Sequence, residues 1–464
     1  MAAGLTASEA GLDVVLLDEA NAAGGQIYRA PIARTDSSRT RTHETKSADQ
    51  RNGDEFRVAL AASRIDFRPS RRVWAAGGRF RIDAVGPHGA EGFTAPRLVA
   101  ATGAHERVVP FEGWTLPGVI GLAAATILLK SQKMLPGRRV VVAGCGPLIA
   151  AVAAKIVGGG GEVAAIVDLS SKREWLAALP FLATRPKMLA EGLGWVLKLG
   201  LERTPVFFRH GVRSAMGEDA LHRVTIGPVD IAGRPIEGPE RRFDADCLAI
   251  GHGLIPGAEI TRLMQAAQRF DRLRGGFVPQ LDADGRTSVE GLYAAGDGAG
   301  IAGAVPAAIG GELAGLAAAS DAGAMSQARD LSWRKRLLRE RDRAMRFADA
   351  MAGLMRFRSG MLDGIAGTTV VCRCEDVTRD EIESAIASGA NEINQLKHFT
   401  RCGMGPCQGR MCGEIAAELV AARVGSREAA GQWTARPPLR PVQLASVLGE
   451  FRYDDIPIPA PAPL

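Results

Sequence analysis

An α/β chain of nucleotide-cradling strand–helix–strand units, ending in a small helical cysteine-rich module, is the fold class that three observations predict. Residues 138–168 read as strand, glycine turn, helix, strand and acid. Several short apolar strands end in Gly or Gly-Asp. Five of the seven cysteines fall within the 41 residues from Cys372 to Cys412.

The bulk properties agree. The chain has 464 residues, 46% hydrophobic and 23% charged, which is ordinary globular composition and excludes collagen-like, disordered and coiled-coil classes. Length alone suggests about three domains. With 56 glycines and 5% aromatics, tight backbone turns are favoured over an aromatic-rich sandwich. A net charge of +6 is a weak field, and no basic stripe with interleaved aromatics argues for nucleic acid. No secretory signal is visible, and no uncharged apolar run reaches the roughly 20 residues of a spanning helix. An odd, clustered cysteine count points to a metal or cluster site in a reducing cytoplasm rather than to a disulfide framework.

Taken in order, the first ten residues are small and helix-compatible, and Gly11 ends that helix. Val14 to Leu17 is an apolar run of strand length closed by Asp18, an acid placed to hydrogen-bond a ribose hydroxyl. Gly24, Gly25 and Gln26 follow and support that reading over a plain surface acid. This is the second half of a βαβ unit. Its opening strand and Gly-rich turn are not in the sequence, which leads us to expect a start further upstream. Residues 31–55 are polar and read as a surface loop or helical excursion. The apolar stretch from Arg97 ends in Ala101-Thr102-Gly103, where glycine lets backbone approach a nucleotide.

The unit at 138–168 is the clearest. Val140 to Ala143 is a strand, and Gly144-Cys145-Gly146-Pro147-Leu148-Ile149-Ala150 fits G-x-G-x-x-G/A. Gly144 permits the turn. Gly146 admits a pyrophosphate to the helix N-terminus, where free N–H groups favour anions. Asp168 closes the next strand and suits a 2′-hydroxyl, favouring NAD over NADP; a vestigial unit, or one for another nucleotide, stays open. Residues 241–256 repeat the apolar strand ending in Gly. Leu292 to Ala295 leads into Gly296-Asp297, whose carboxylate suits a ribityl or ribose hydroxyl or caps the following helix. Residues 325–360 form an Arg-rich amphipathic helix, read as a solvated linker.

In the cysteine module, Cys372-Arg373-Cys374 sits on a strand or turn, and Thr378 to Glu381 is a capping box opening a helix. Glu392 to Thr400 is a second helical stretch. Cys402, Cys407 and Cys412 then precede a third helix. Thiols near helix N-termini are biased toward thiolate, the form that ligates metal. Four thiolates suit a [2Fe–2S] cluster; structural zinc and a free-thiol redox site remain alternatives. His105 is the one histidine that the ATG segment places near a nucleotide, and a satisfied surface or loop histidine is the commoner reading.

The ordered set LLDEANAAGGQIYR, ATGAHERVVPFEGWTLPG, VVVAGCGPL, YAAGDGAG, CRCEDVTRDE and TRCGMGPCQGRMCG covers nearly the whole chain. It resembles flavoproteins with two nested, three-layer Rossmann-like domains of glutathione-reductase type and a C-terminal BFD-like (bacterioferritin-associated-ferredoxin-like) [2Fe–2S] domain. Within that family it is similar to the FAD subunits of opine oxidase, hydrogen cyanide synthase and D-hydroxyproline dehydrogenase complexes. The C-terminal string is also similar to the tail of anaerobic glycerol-3-phosphate dehydrogenase.

The resemblance implies an FAD domain in two parts (1–115 and 271–324) around an inserted NAD-type domain (116–270). A linker helix (325–365), the BFD-like domain (366–425) and a Pro-rich tail (426–464) complete it. FAD would be held by Asp18, Gly24, Gly25, Gln26, Thr102, Gly103, Gly296 and Asp297. NAD or another nucleotide would lie at Gly144, Gly146 and Asp168. Cys372, Cys374, Cys407 and Cys412 would ligate the cluster, with Cys402 as the spare or the alternative ligand. The implied activity is FAD-dependent oxidation of a C–N bond in an amine or amino-acid substrate (opine, glycine or hydroxyproline class). A D-amino-acid-oxidase-like partner subunit is implied, as is an acceptor such as a quinone, ferredoxin or dye. The implied location is cytoplasmic, with membrane association through the complex left open. The rivals are an NAD(P)H-dependent FAD reductase and a degenerate assembly subunit. No Cys-x-x-Cys occurs in the second nucleotide domain, which disfavours a disulfide reductase.

Overall fold

The computed structural model describes residues 1–31, 48–325 and 327–448. The expected surface excursion falls largely on 32–47, and the last part of the Pro-rich tail on 449–464; both lie outside the described residues.

The helix Ala2–Glu9 and the strand Val15–Leu17 form as the small-residue and apolar runs dictate. That strand pairs in parallel with Asp66–Arg68, so Asp18 emerges at its C-terminal end. The helix lies against Ala304–Asp321 so closely that Cβ atoms added at Gly311 or Gly315 would meet the Ala2–Ala3 backbone at 3.3 or 2.3 Å. The strand Leu98–Ala100 pairs in parallel with Leu292–Ala294, Ala100 opposite Ala294. This register puts Thr102-Gly103 and Gly296-Asp297 side by side.

The second unit is a five-stranded parallel sheet. Its order is Val206–Phe208, Glu162–Asp168, Arg139–Gly144, Cys247–Gly251, Val119–Gly121. Val140, Val142, Ile166 and Ala249 on these strands, with Ile149, Val152 and Ile156 of the helix Leu148–Gly158, make its buried core. Buried on both faces, such strands read as continuous apolar runs.

The helix Gln327–Met355, 29 residues long, leads to the cysteine module. A short antiparallel pair, Val370–Cys372 with Val377–Thr378, and the helices Arg379–Ala387, Ile393–Thr400 and Gly413–Val424 build that module. Thr378 and Glu381 form the capping box that their spacing predicts. The module's core runs from Phe357, Leu362 and Ile365 to Ala430, so the end of the expected linker stretch packs with it. No described helix is long and apolar enough to cross a membrane.

Candidate functional site

The first cradle is open. Gly25, Gly103, Gly296 and Gly303 have φ of +56°, +69°, +69° and +86°, and a Cβ at any of them would meet nothing within 4 Å. Bare backbone of this kind is what close approach of a ligand requires. Gly24 differs: a Cβ there would strike the Tyr28 carbonyl oxygen at 2.3 Å, so it serves the turn. Gln26 is exposed and its side-chain oxygen accepts from Arg29 Nη2.

Thr102 Oγ donates to the Gly257 carbonyl, and Gly298 packs on the same hydroxyl, which pins the two strand ends together. Asp297 accepts weakly from Ala302 N–H at 3.4 Å. Burial pushes its carboxyl up, against the N–H groups of Ala302 and Gly303. Asp18 accepts from Ala20 N–H at 2.9 Å and is likewise pushed up by burial. Both carboxylates keep acceptor capacity for hydroxyl groups. These residues fit FAD.

The second cradle is filled by the chain itself. Gly144 (φ +137°) makes the turn against Gly251, whose carbonyl oxygen lies 1.9 Å from a Cβ built there. A Cβ at Gly146 (φ +80°) would lie 2.4 Å from Cγ of Met355, the last residue of the long helix. Asp168 is only 2% exposed. Its oxygens accept from Ser170 N–H (2.8 Å) and Trp175 Nε1–H (2.7 Å). Ser170 Oγ reaches back to the Leu354 carbonyl, and Cys145, Leu169, Val229, Met355 and Met361 close one apolar cluster.

Arg358 seals the edge. Its side chain is 1% exposed and pairs with Glu174 at 2.9 Å. The sequence expectation of NAD or another nucleotide at Gly144, Gly146 and Asp168 therefore meets a site whose phosphate position holds Met355 and whose ribose acid is already bonded. The residues present do not fit a nucleotide there.

The five cysteines converge. The sulfurs of Cys372, Cys402 and Cys412 lie within 4.8 Å of one another, all buried. Hydrogen bonds from Cys402 and Cys412 hold the Cys372 thiol far below its ordinary range, and the bond each makes to Cys372 pushes those two up. Burial raises Cys374, against a hydrogen bond from the Cys407 backbone; the Cys407 sulfur also contacts it. The expected four, Cys372, Cys374, Cys407 and Cys412, are thus split between the trio and the pair, and Cys402 stands inside the trio rather than apart. An all-sulfur set of this size fits a [2Fe–2S] cluster and also zinc.

The glycines of the cysteine loop have a second purpose that their spacing does not disclose. Cβ atoms at Gly403, Gly409 and Gly413 would lie 2.8, 2.4 and 2.5 Å from the indole of Trp433, and one at Gly405 2.1 Å from Cys374 Cβ. The tail thus lays an aromatic plate on the loop. It is also tied down: Leu439 N–H donates to the Trp74 carbonyl, and Arg410 Nη2 to the Leu439 carbonyl, both at 2.6 Å.

Module and cradle meet through named contacts. Trp114 Nε1 donates to the Val370 carbonyl at 2.7 Å, Arg410 pairs with Glu259 at 2.9 Å, and Arg427 stacks over Phe270 at 5.2 Å. His105, two residues past open Gly103, lines a cavity of about 450 Å³ shared with Gly403, Gly409 and Gly413 of the cysteine loop. Burial lowers His105 and keeps its imidazole neutral.

Comparison with known proteins bears on these sites. Residues 1–323 match the family described as pyridine nucleotide-disulphide oxidoreductase, and residues 366–450 the sarcosine oxidase A3 domain. The chain is 34% identical over 461 residues to an opine oxidase subunit of Agrobacterium tumefaciens (strain Ach5), covering 96% of this chain and 89% of that one. It is 32% identical to hydrogen cyanide synthase subunit HcnB of Pseudomonas aeruginosa, covering 96% and 95%. L-proline dehydrogenase from P. horikoshii shares the fold, with a TM-score of 0.66 at 19% identity, covering 96% and 77%. The chain belongs to the pyridine nucleotide-disulphide oxidoreductase family and is an oxidoreductase; that fold implies FAD.

Proposed function

We propose, on the premise of that membership, that the chain is the FAD- and [2Fe–2S]-bearing relay subunit of a complex that oxidises an amine or amino acid of the opine, glycine or hydroxyproline class. The observation that carries this reading is one open cradle from which the chain passes directly from Gly103 to His105, on a cavity walled by the cysteine loop. Relatives named as subunits of opine oxidase and hydrogen cyanide synthase support an opine-type substrate and a place in a multi-subunit complex.

When bound, FAD takes a two-electron equivalent and a [2Fe–2S] cluster passes single electrons, to a quinone, ferredoxin or dye. The chain's part is to hold and insulate. Asp18 and Asp297 would accept from ribose and ribityl hydroxyls, while Gly25, Gly103 and Gly296 admit the ligand to bare backbone. Cys372, Cys374, Cys407 and Cys412 would hold the iron, Cys402 being the alternative, and Trp433 shields their loop. The neutral His105 adds no charge beside the cradle. A nicotinamide-driven reductase gains no support, since Met355 and Trp175 fill the site it needs.

Absorbance and iron, sulfide and zinc assays on the purified full chain test the reading. Flavin with two irons and two sulfides per chain is the expected result; zinc without sulfide refutes it.

A further inference from the structure

The cavity between the nucleotide fold and the cysteine module is lined by more cations than carboxylates. Arg262, Lys397, Arg401, Arg410, Arg427 and Arg436 line it, against the carboxylates Glu259 and Glu414. Both carboxylates are spent: Glu259 pairs with Arg410 at 2.9 Å and Glu414 with Arg427 at 3.1 Å. Arg401 pairs with Glu375 outside the cavity at 2.8 Å.

Arg262, Lys397 and Arg436 make no ion pair among the described residues, although Glu259 and Glu414 lie near enough to act on Arg262. Arg262 meets only the Gln432 amide oxygen, at 3.2 Å, and Lys397 only the face of Trp433, at 5.7 Å. Arg262 Nε, Arg410 Nε, Arg427 Nη1 and Trp433 Nε1 are buried with no hydrogen-bond partner. Arg427 is the deepest, its side chain 3% exposed.

Arg427 is buried and Arg262 and Lys397 are half-buried, so low-dielectric walls focus their field on the cavity. Buried donors without partners are costly and mark a wall that is electrostatically incomplete. About 450 Å³ far exceeds an inorganic oxyanion and falls in the range of sites for organic molecules. Phe277, Ile255 and Trp433 add an apolar side to the same space.

We propose that this cavity is a binding site for an organic phosphate monoester, the phosphate held by Arg262, Lys397 and Arg436 and the organic part against Trp433. Three cations that make no ion pair match a phosphate monoester, whose charge near neutrality is about −1.5 to −2, better than a single carboxylate. The tail residues Gln432 to Leu439 form the outer wall, so the ligand ties the tail to both halves of the protein. The inference stands apart from the relay reading, because it needs neither flavin nor iron.

The test is calorimetric titration of the full chain with phenyl phosphate, inorganic phosphate, benzoate and phenol. Phenyl phosphate should bind saturably and at least about tenfold more tightly than each of the other three. Arg262→Ala and the exposed Arg436→Ala should each weaken it about tenfold, the loss of one charge contact, with Arg262→Lys retaining part. Thermal melts confirm that these variants fold; should Arg262→Ala fail to, Arg436→Ala and Lys397→Met decide. The proposal is overturned if phenyl phosphate does not saturate, if benzoate or inorganic phosphate matches it, or if the folded variants bind as the parent does.

Discussion

The chain carries two nucleotide-type cradles that share a helix–strand–acid segment, and they have opposite fates. In the first, glycines at positive φ face empty space and Asp297 keeps only a long 3.4 Å contact. In the second, Met355 stands over Gly146 and Asp168 is bonded by Trp175 and Ser170. The second has the full strand–glycine–helix–strand–acid pattern, the first only its helix, strand and acid, so local pattern specifies a shape while what enters it is decided by residues from elsewhere in the chain.

The sharpest way to break this contrast is to exchange the acids' roles. Asp297→Ala should weaken FAD binding to the apoprotein by about 100-fold, as expected for about 3 kcal/mol of lost acceptor contact. Asp168→Ala should leave it unchanged, both followed by flavin fluorescence. Equal losses would erase the distinction.

Next in size is the turn. Gly144→Ala drives a methyl into the Gly251 carbonyl, and such overpacking costs about 1–3 kcal/mol. Urea unfolding should show that loss with flavin affinity intact. Trp175→Phe follows. It leaves a buried Asp168 oxygen without its donor, and a loss of about 1–3 kcal/mol is expected. If stability is unmoved, Asp168 is free for a ribose after all.

The smallest effect is in pH. Burial raises the Asp168 carboxyl, and Ser170, Trp175 and Arg358 only partly offset it. Its folded value therefore exceeds the unfolded one, so protonation favours the fold. That contribution is complete below the unfolded value of about 3.9 and is lost as pH rises through the higher folded value. Relative to wild type, Asp168→Asn should flatten the fall in stability with rising pH over that window. Parallel profiles would contradict the burial argument.

Much of this was legible in the sequence. The Gly144 turn, the Asp168 strand end and the Thr378 capping box all follow from local rules of period, capping and strand length, whereas the parallel pairing that sets Thr102-Gly103 beside Gly296-Asp297 is long-range. Closure of the second cradle was not. Met355 and Arg358 sit at the end of a helix that reads as a solvated linker, and nothing in its spacing tells which groove it enters. Trp175 is one aromatic in an amphipathic helix. The Trp433 plate was hidden for the same reason: the glycines of the cysteine loop look like room for a cluster, and the ring they accommodate lies in a tail without periodicity. Local pattern fixes elements; long-range packing chooses which cavities survive.

The central claim is that one cradle takes a flavin while the other is closed by its own chain. Equilibrium dialysis of the full-length protein against FAD and NADH together tests it most directly. We predict one FAD per chain and no bound NADH at concentrations up to about 1 mM, the weak end of the usual affinity scale. Stoichiometric NADH beside the flavin, lost on Asp168→Ala, would contradict it.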